Sequence, residues 1–254
     1  MLPGHISGIY SRDEMSIDLR QLCDFSGARF IHSQASGIDL KRKHVLIGFN
    51  GSTLPADVIS INVGGTSYMA GAAGTDEWAI PTKPVPDLLL GWARLQAAAA
   101  HARMRVVVVG GGAGGVELTL AMHSRLRNEA DFTIIHAGPH LLPGYHSRAQ
   151  GIVDSLLYAR RITVVKGRRV VEVMPDRVRR DGGETVPADF VFWAAQAASH
   201  LAGRKRTGRY ERRLRSSRTH PSDTKPSLDF CRGGCGGHPK SETAEVRGLR
   251  GAHG

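Results

Sequence analysis

Long apolar runs are missing from this 254-residue chain. None approaches the ~20 residues that a membrane-crossing helix needs. The N-terminus also lacks the charged-then-apolar pattern of a secretory leader. Both absences predict a cytoplasmic protein, with peripheral contact at the inner face of a membrane left open, since an amphipathic surface leaves no such run. Cysteine is scarce too. Cys23, Cys231 and Cys235 are the three in the chain, too few and too scattered for a disulfide framework. Cys231 and Cys235 with His238 make an incomplete set for structural zinc, so no metal is expected.

Acidic residues are short by 11 against lysine and arginine, a balance that raises nucleic acid as a partner. The location of the excess argues otherwise. Residues 203–254 hold 13 basic and 5 acidic residues, which leaves 21 and 18 for the first 202. The charge belongs to the tail, so it says little about the body. In that tail only Tyr210 and Phe230 interleave the charges and no recognition motif appears, so no specific nucleic acid is expected. Apolar periodicity is also lost beyond Gly203, which predicts a mostly unstructured segment.

What the chain does have is concentrated between Met104 and Glu117. Val106 to Val109 form a β-branched run without polar alternation, the pattern of a parallel strand buried on both faces. Gly110, Gly112 and Gly115 follow at the spacing G-x-G-x-x-G. Val116, Leu118, Leu120, Ala121 and Met122 then give the apolar content of a helix packed on a sheet. Strand, glycine turn and helix N-terminus aim backbone N–H groups and a positive dipole end at one point, where a pyrophosphate can sit. The first glycine makes the tight turn, the second lets the backbone approach the phosphates, and the third lets helix and strand pack closely. The strand before and the helix after are the context that a bare glycine motif needs.

The remaining elements fall around this unit. Asp13 to Phe25 predicts a helix or an extended stretch leading into one, with Gly27 as its C-cap. Strands are expected at Arg29 to Ser33, Gly37 to Asp39 and His44 to Phe49, as a small antiparallel sheet. Asp57 to Val63 reads as a further apolar strand ending in Gly64-Gly65-Thr66. Tyr68 to Pro86 reads as a crossing loop, and Asp87 to Ala102 as a helix. After the glycine helix come a strand at Phe132 to His136, a helix at Ala149 to Arg160 and a strand at Ile162 to Val165, in doubly wound order. Arg169 to Met174, Arg177 to Arg180 and Glu184 to Pro187 predict a meander, with Asp181-Gly182-Gly183 as one turn. Asp189 to Ala194 is the last strand.

In the order of its motifs the chain resembles the flavin-dependent pyridine nucleotide oxidoreductases, in their type II NADH dehydrogenase-like branch. Its nearest likeness is the dehydrogenase half fused in some bacteria to selenide, water dikinase. The residues that carry this are Met1-Leu-Pro-Gly4, Asp57 to Thr66, Ile80 to Pro84, Gly110 to Glu117, Leu141-Leu-Pro-Gly144 and Ala188 to Ala194. They extend over roughly residues 1–198. The resemblance implies an α/β fold, a Rossmann-like doubly wound parallel sheet of the three-layer ββα kind inserted in a partial flavin-binding domain. Residues 1–99 would be the flavin-domain remnant, 100–200 the NAD(P)-binding domain and 203–254 the disordered basic tail.

The implied activity is FAD-dependent transfer of a hydride from NAD(P)H to a small-molecule acceptor such as a quinone. The alternative is a catalytically inactive NAD(P)-binding remnant. By the same resemblance Gly110, Gly111, Gly112, Ala113, Gly114, Gly115 and Val116 hold the coenzyme pyrophosphate. Glu117 lies near nicotinamide and flavin, Lys83 lies near the flavin ring, and an ionic contact joins the two. Leu2 and Pro3 are flavin-adjacent, and Gly64, Gly65 and Thr66 approach the flavin domain. A solvated loop lysine and an early-helix acid favoured by the dipole would read the same way at positions 83 and 117. A homodimer stays open.

The departures from the family pattern set further expectations. No glycine motif for the FAD diphosphate precedes Met1, and no Gly-Asp segment follows Gly203, so a chain truncated at both ends, or read out of frame in its tail, is expected. Trp193-Ala-Ala-Gln196 stands where the family has Ala-Thr-Gly. A Cys-x4-Cys pair is absent from the body, which argues against a disulfide-reductase cycle. An acidic residue about 20 positions past the glycines ordinarily accepts a hydrogen bond from the adenine ribose, and Phe132 to Gly138 contains none. His136 or Arg148 would favour a 2′-phosphate. NAD against NADP stays undecided from the sequence.

Overall fold

The computed structural model describes residues 1–199 except 63, 68, 70 and 196. The basic tail, with Cys231, Cys235 and His238, lies outside the described residues.

Three short helices come first: α1 (Leu2–Ile6), α2 (Arg12–Met15) and α3 (Leu19–Ser26). Ser11 opens α2 with a capping box, its hydroxyl accepting from the Glu14 amide while the Glu14 carboxylate accepts from the Ser11 amide. Gly27 ends α3 in the left-handed conformation, φ 68°, as its sequence position predicts. Strands β1 (Ala35–Asp39), β2 (His44–Ile47) and β3 (Ser52–Pro55) form an antiparallel sheet in that order.

The expected small sheet is therefore present, but drawn from different residues. Arg29 to Ser33 forms no strand, whereas Ser52 to Pro55 does. The Asn50-Gly51 turn folds the chain straight back on β2, so β1 and β3 occupy both of its edges. Asp57 to Asn62 also forms no strand, and Val58 is 91% exposed. No described strand lies beside this segment to complete a ladder, and apolar sequence alone does not supply one.

Strand β4 (Gly65–Ser67), helix α4 (Thr75–Trp78), strand β5 (Ala79–Pro81) and helix α5 (Val85–Ala99) follow. The expected crossing loop thus contains a helical turn and a strand. Beyond it come β6 (Met104–Val109), α6 (Ala113–Leu126), β7 (Ala130–His136), α7 (Ser147–Ala159) and β8 (Thr163–Lys166). The chain then makes β9 (Val170–Val173), β10 (Arg177–Arg180), β11 (Thr185–Pro187), β12 (Phe190–Trp193) and β13 (Ala197–Ser199). The last of these pairs antiparallel with β4.

The centre is a five-stranded sheet in the order β5-β12-β6-β7-β8, parallel at every pairing. The valines of β6 alternate between its faces. Val106 and Val108 pack with Leu88 and Leu95 of α5, Met122 of α6 and Leu157 of α7. Val107 and Val109 pack with Val170, Val173 and Val178 of the β9–β11 meander. Helices therefore cover one face and a second β layer the other, which is the three-layer ββα arrangement. Each fully buried valine contributes roughly 1.5–3 kcal/mol, an upper bound set by an extended reference chain. Arg105 and Asp189 tie the first residues of β6 to the approach to β12, with Asp189 accepting from the Arg105 amide at 2.8 Å and from its Nε at 3.0 Å.

Burial is uneven along the chain. Between Ser7 and Gly74 no described residue is buried, whereas β6 and β7 are largely enclosed. Ile6 is 1% exposed because α1 packs on α6. The sheet also draws in β5 and α5 from before residue 100.

Candidate functional site

Parallel strands leave their carboxyl ends on one edge, and in open α/β sheets ligands bind outside that edge. Here the edge carries, in sheet order, Lys83 beyond β5, Ala194 beyond β12, Gly110 beyond β6, His136 at the end of β7 and Lys166 at the end of β8. The glycine corner stands in the middle of that row.

Each glycine of the motif does a different thing there. Gly110 has φ +123°, a conformation open to glycine, and a Cβ on it would lie 2.7 Å from the Ala194 carbonyl carbon. Its amide donates to the Ile135 carbonyl at 2.9 Å. A Cβ on Gly115 would lie 2.0 Å from the Gly110 carbonyl oxygen, so α6 and β6 meet backbone to backbone. Gly112 differs from both: φ is −73° and a Cβ there would meet nothing within 4 Å. That side leaves room for a ligand to approach.

Gly112 is the N-cap of α6, and no side chain caps the helix. Its carbonyl accepts from the Val116 amide at 3.0 Å, whereas the amides of Ala113, Gly114 and Gly115 belong to the first turn and have no partner within the helix. Uncapped amides, an aligned dipole and an open approach fit a diphosphate. Val116 is buried and fixes the turn to the core. This corner fits one diphosphate; a flavin diphosphate needs a cradle of its own.

Two contributors to this corner come from outside the motif. The Leu142 amide donates to the Gly111 carbonyl at 2.7 Å, and a Cβ on Gly111 would lie 2.4 Å from Leu141 Cδ2. The Leu141-Leu142 pair is buried inside an otherwise Pro- and Gly-rich loop, a pattern visible in the sequence, but periodicity does not reveal what it supports. His136 is the other. Its Nδ1 accepts from the Gly111 amide at 3.2 Å, which leaves that nitrogen unprotonated in the neutral ring. Burial first, then the charge of Lys166, hold the ring below the usual imidazole range, against a hydrogen bond to the His140 backbone that raises it.

The residues assigned by resemblance are more dispersed. Glu117 is exposed in the first turns of α6. Lys83 is half-buried; its amide donates to Ser67 Oγ at 3.1 Å and its carbonyl accepts from the Ser67 amide at 3.1 Å. The expected ion pair between them is not formed: none of the ion pairs among the described residues joins Lys83 to Glu117. Lys83 follows β5, two strands from β6 and so roughly 10 Å along the sheet edge. Leu2 and Pro3 lie in α1, with Leu2 packed against the core beneath α6. Gly64 has φ +70°, and Gly65 and Thr66 belong to β4, where Thr66 pairs with Ala198.

Comparison with known proteins gives this fold its family. A family model described as pyridine nucleotide-disulphide oxidoreductase matches residues 18–208. The type II NADH:quinone oxidoreductase of Haemophilus influenzae is 28% identical over 106 residues, 37% of this chain and 24% of that protein. Among solved structures, NDH2 from Plasmodium falciparum in complex with NADH superposes with TM-score 0.67 at 18% identity, over 79% of this chain and 48% of the other. An NAD-dependent persulfide reductase from A. fulgidus superposes with TM-score 0.64 at 22% identity, over 79% of this chain and 38% of the other. The chain thus spans about a quarter of the curated relative and under half of these structures. At such identities the structures establish the fold, and the family model, covering most of the chain, establishes kinship. The chain belongs to the pyridine nucleotide-disulphide oxidoreductase family.

Proposed function

We propose that this chain binds NAD(P)H at the glycine corner and serves FAD-dependent hydride transfer to a small-molecule acceptor, a quinone being the first candidate. FAD and NAD(P)H are the cofactors of the family. Between them these groups supply the redox chemistry, and the protein supplies binding, orientation and electrostatics. The single observation that carries the reading is the division of labour among the three glycines. Two are closed by backbone, and Gly112 alone opens outward beside uncapped amides.

From that corner the rest of the site takes its direction. The first-turn amides of α6 hold the diphosphate. Along the sheet edge His136 would adjoin the adenosine half, and Ala194 and Lys83 the nicotinamide half. Glu117 is proposed as a residue near the nicotinamide and flavin, and Lys83 as one near the flavin ring, each acting without the other's charge. A quinone is a lipid-soluble acceptor, so this reading carries with it peripheral contact with a membrane. No helix among the described residues is long and apolar enough to cross one.

The test is a pair of measurements on the full chain. Calorimetric titration with NADH and NADPH reads the coenzyme site, and the visible absorption of the purified protein, before and after incubation with FAD, reads the flavin. Binding of both, with quinone-dependent oxidation of the coenzyme, is the expected result. Coenzyme binding without flavin uptake would reduce the function to nucleotide binding, and absence of both would refute the proposal.

A further inference from the structure

The end of the sheet edge beyond β7 carries basic side chains. His136 closes β7 where a carboxylate would ordinarily receive the adenine-ribose hydroxyl. A carboxylate there accepts; this ring does not, because its one unprotonated nitrogen already takes the Gly111 amide proton. The next strand sets two cations alongside. Lys166 is the register partner of His136 in β8, and the Arg168 amide donates to the His136 carbonyl at 3.3 Å. Lys166 is offset by Asp154, 2.7 Å away on α7. Arg168 is exposed and has no carboxylate paired with it among the described residues. Of the acidic groups nearby, Asp154 is committed to Lys166, and Asp181 accepts from the Arg169 amide at 2.9 Å.

A ribose 2′-hydroxyl at the end of β7 finds His136 where it would ordinarily find a carboxylate. A 2′-phosphate, which only accepts and carries about two negative charges, finds the cations Lys166 and Arg168 instead. We propose that the corner formed by His136, Lys166 and Arg168 selects the 2′-phosphorylated coenzyme, so that this chain takes NADPH in preference to NADH. The proposal rests on the coenzyme reading above and deepens it: the glycine corner sets that a dinucleotide binds, and the β7–β8 corner sets which one.

The experiment compares affinities rather than turnover. The full chain is titrated calorimetrically with NADPH and NADH, and separately with the fragments 2′,5′-ADP and 5′-AMP, at one fixed salt concentration. The expected result is roughly tenfold or more in favour of the phosphorylated partner in both comparisons, the scale of one charge-assisted contact. Arg168→Ala and Lys166→Ala, checked for native circular dichroism, should each shrink that ratio toward one. Equal affinities, tighter binding of NADH, or a ratio untouched in Arg168→Ala would overturn the preference while leaving the glycine corner standing. Failure of all four ligands to bind would instead remove the coenzyme site itself, and this inference with it.

Discussion

The Cβ that Gly115 lacks would lie 2.0 Å from the carbonyl oxygen of Gly110. That relationship brings the first turn of α6 against the end of β6, and it determines where the helix dipole is aimed. Gly112, three residues earlier, has no such constraint. The same motif therefore contains one glycine required by packing and one left open toward solvent, and substitution separates the two roles.

Gly115→Val should destabilise the fold. The added side chain meets backbone that cannot give way, and overpacking of this kind costs about 3 kcal/mol or more. Equilibrium denaturation should show a lowered midpoint; a midpoint equal to that of the parent chain would mean that helix and strand are not packed as described.

Gly112→Val should leave stability nearly unchanged and remove coenzyme affinity. The backbone at Gly112 is compatible with a side chain, and nothing lies within 4 Å of the added Cβ. Paired denaturation and calorimetric titration check both halves. A variant that still binds NADH or NADPH as the parent does would move the phosphate site elsewhere.

Asp189 should report on acid stability. Hydrogen bonds from Arg105 hold its carboxyl below the usual carboxylate range, against a smaller opposing effect of burial. A depressed folded-state pKa contributes stability that is present above the unfolded value, about 3.9, and is lost as pH falls through the folded value. Asp189→Asn should therefore unfold more readily than the parent at neutral pH, with the difference closing as the pH falls below about 4. A difference that persists unchanged to pH 2 would assign the effect to packing rather than to charge.

Residues 7–74 should exchange their amide hydrogens far faster than β6 and β7. No described residue in that range is buried, and Phe25, Phe49 and Val58 are 91%, 84% and 91% exposed. Few enclosed apolar contacts mean low local opening free energy. Hydrogen-exchange mass spectrometry gives the comparison directly. Equal protection in both regions would show that the N-terminal segment has a core of its own.

Legibility in the sequence followed the range of the interaction responsible. The valine run, the glycine corner, the Gly27 cap and the meander turn at Asp181-Gly182-Gly183 are set by neighbours within a few positions, and each lies where its residues predict. Ala79 to Pro81 gave no such signal. Three residues ending in proline become a strand only because β12 lies alongside, and as an edge strand β5 tolerates the missing donor. Asp57 to Asn62 is the converse, a segment with strand-like composition and no partner strand among the described residues. At the site, the glycines were readable because their roles are local. The buttress from Leu141 and Leu142, and the separation of Lys83 from Glu117, depend on which strands adjoin, and no spacing in the chain records that.

The most direct test is heteronuclear NMR of the labelled protein during titration with NADPH and with NADH. Diphosphate held at the glycine corner should shift the amide resonances of Gly112, Ala113, Gly114 and Gly115 more than any others. Shifts centred away from the start of α6, or none with either coenzyme, would contradict the account.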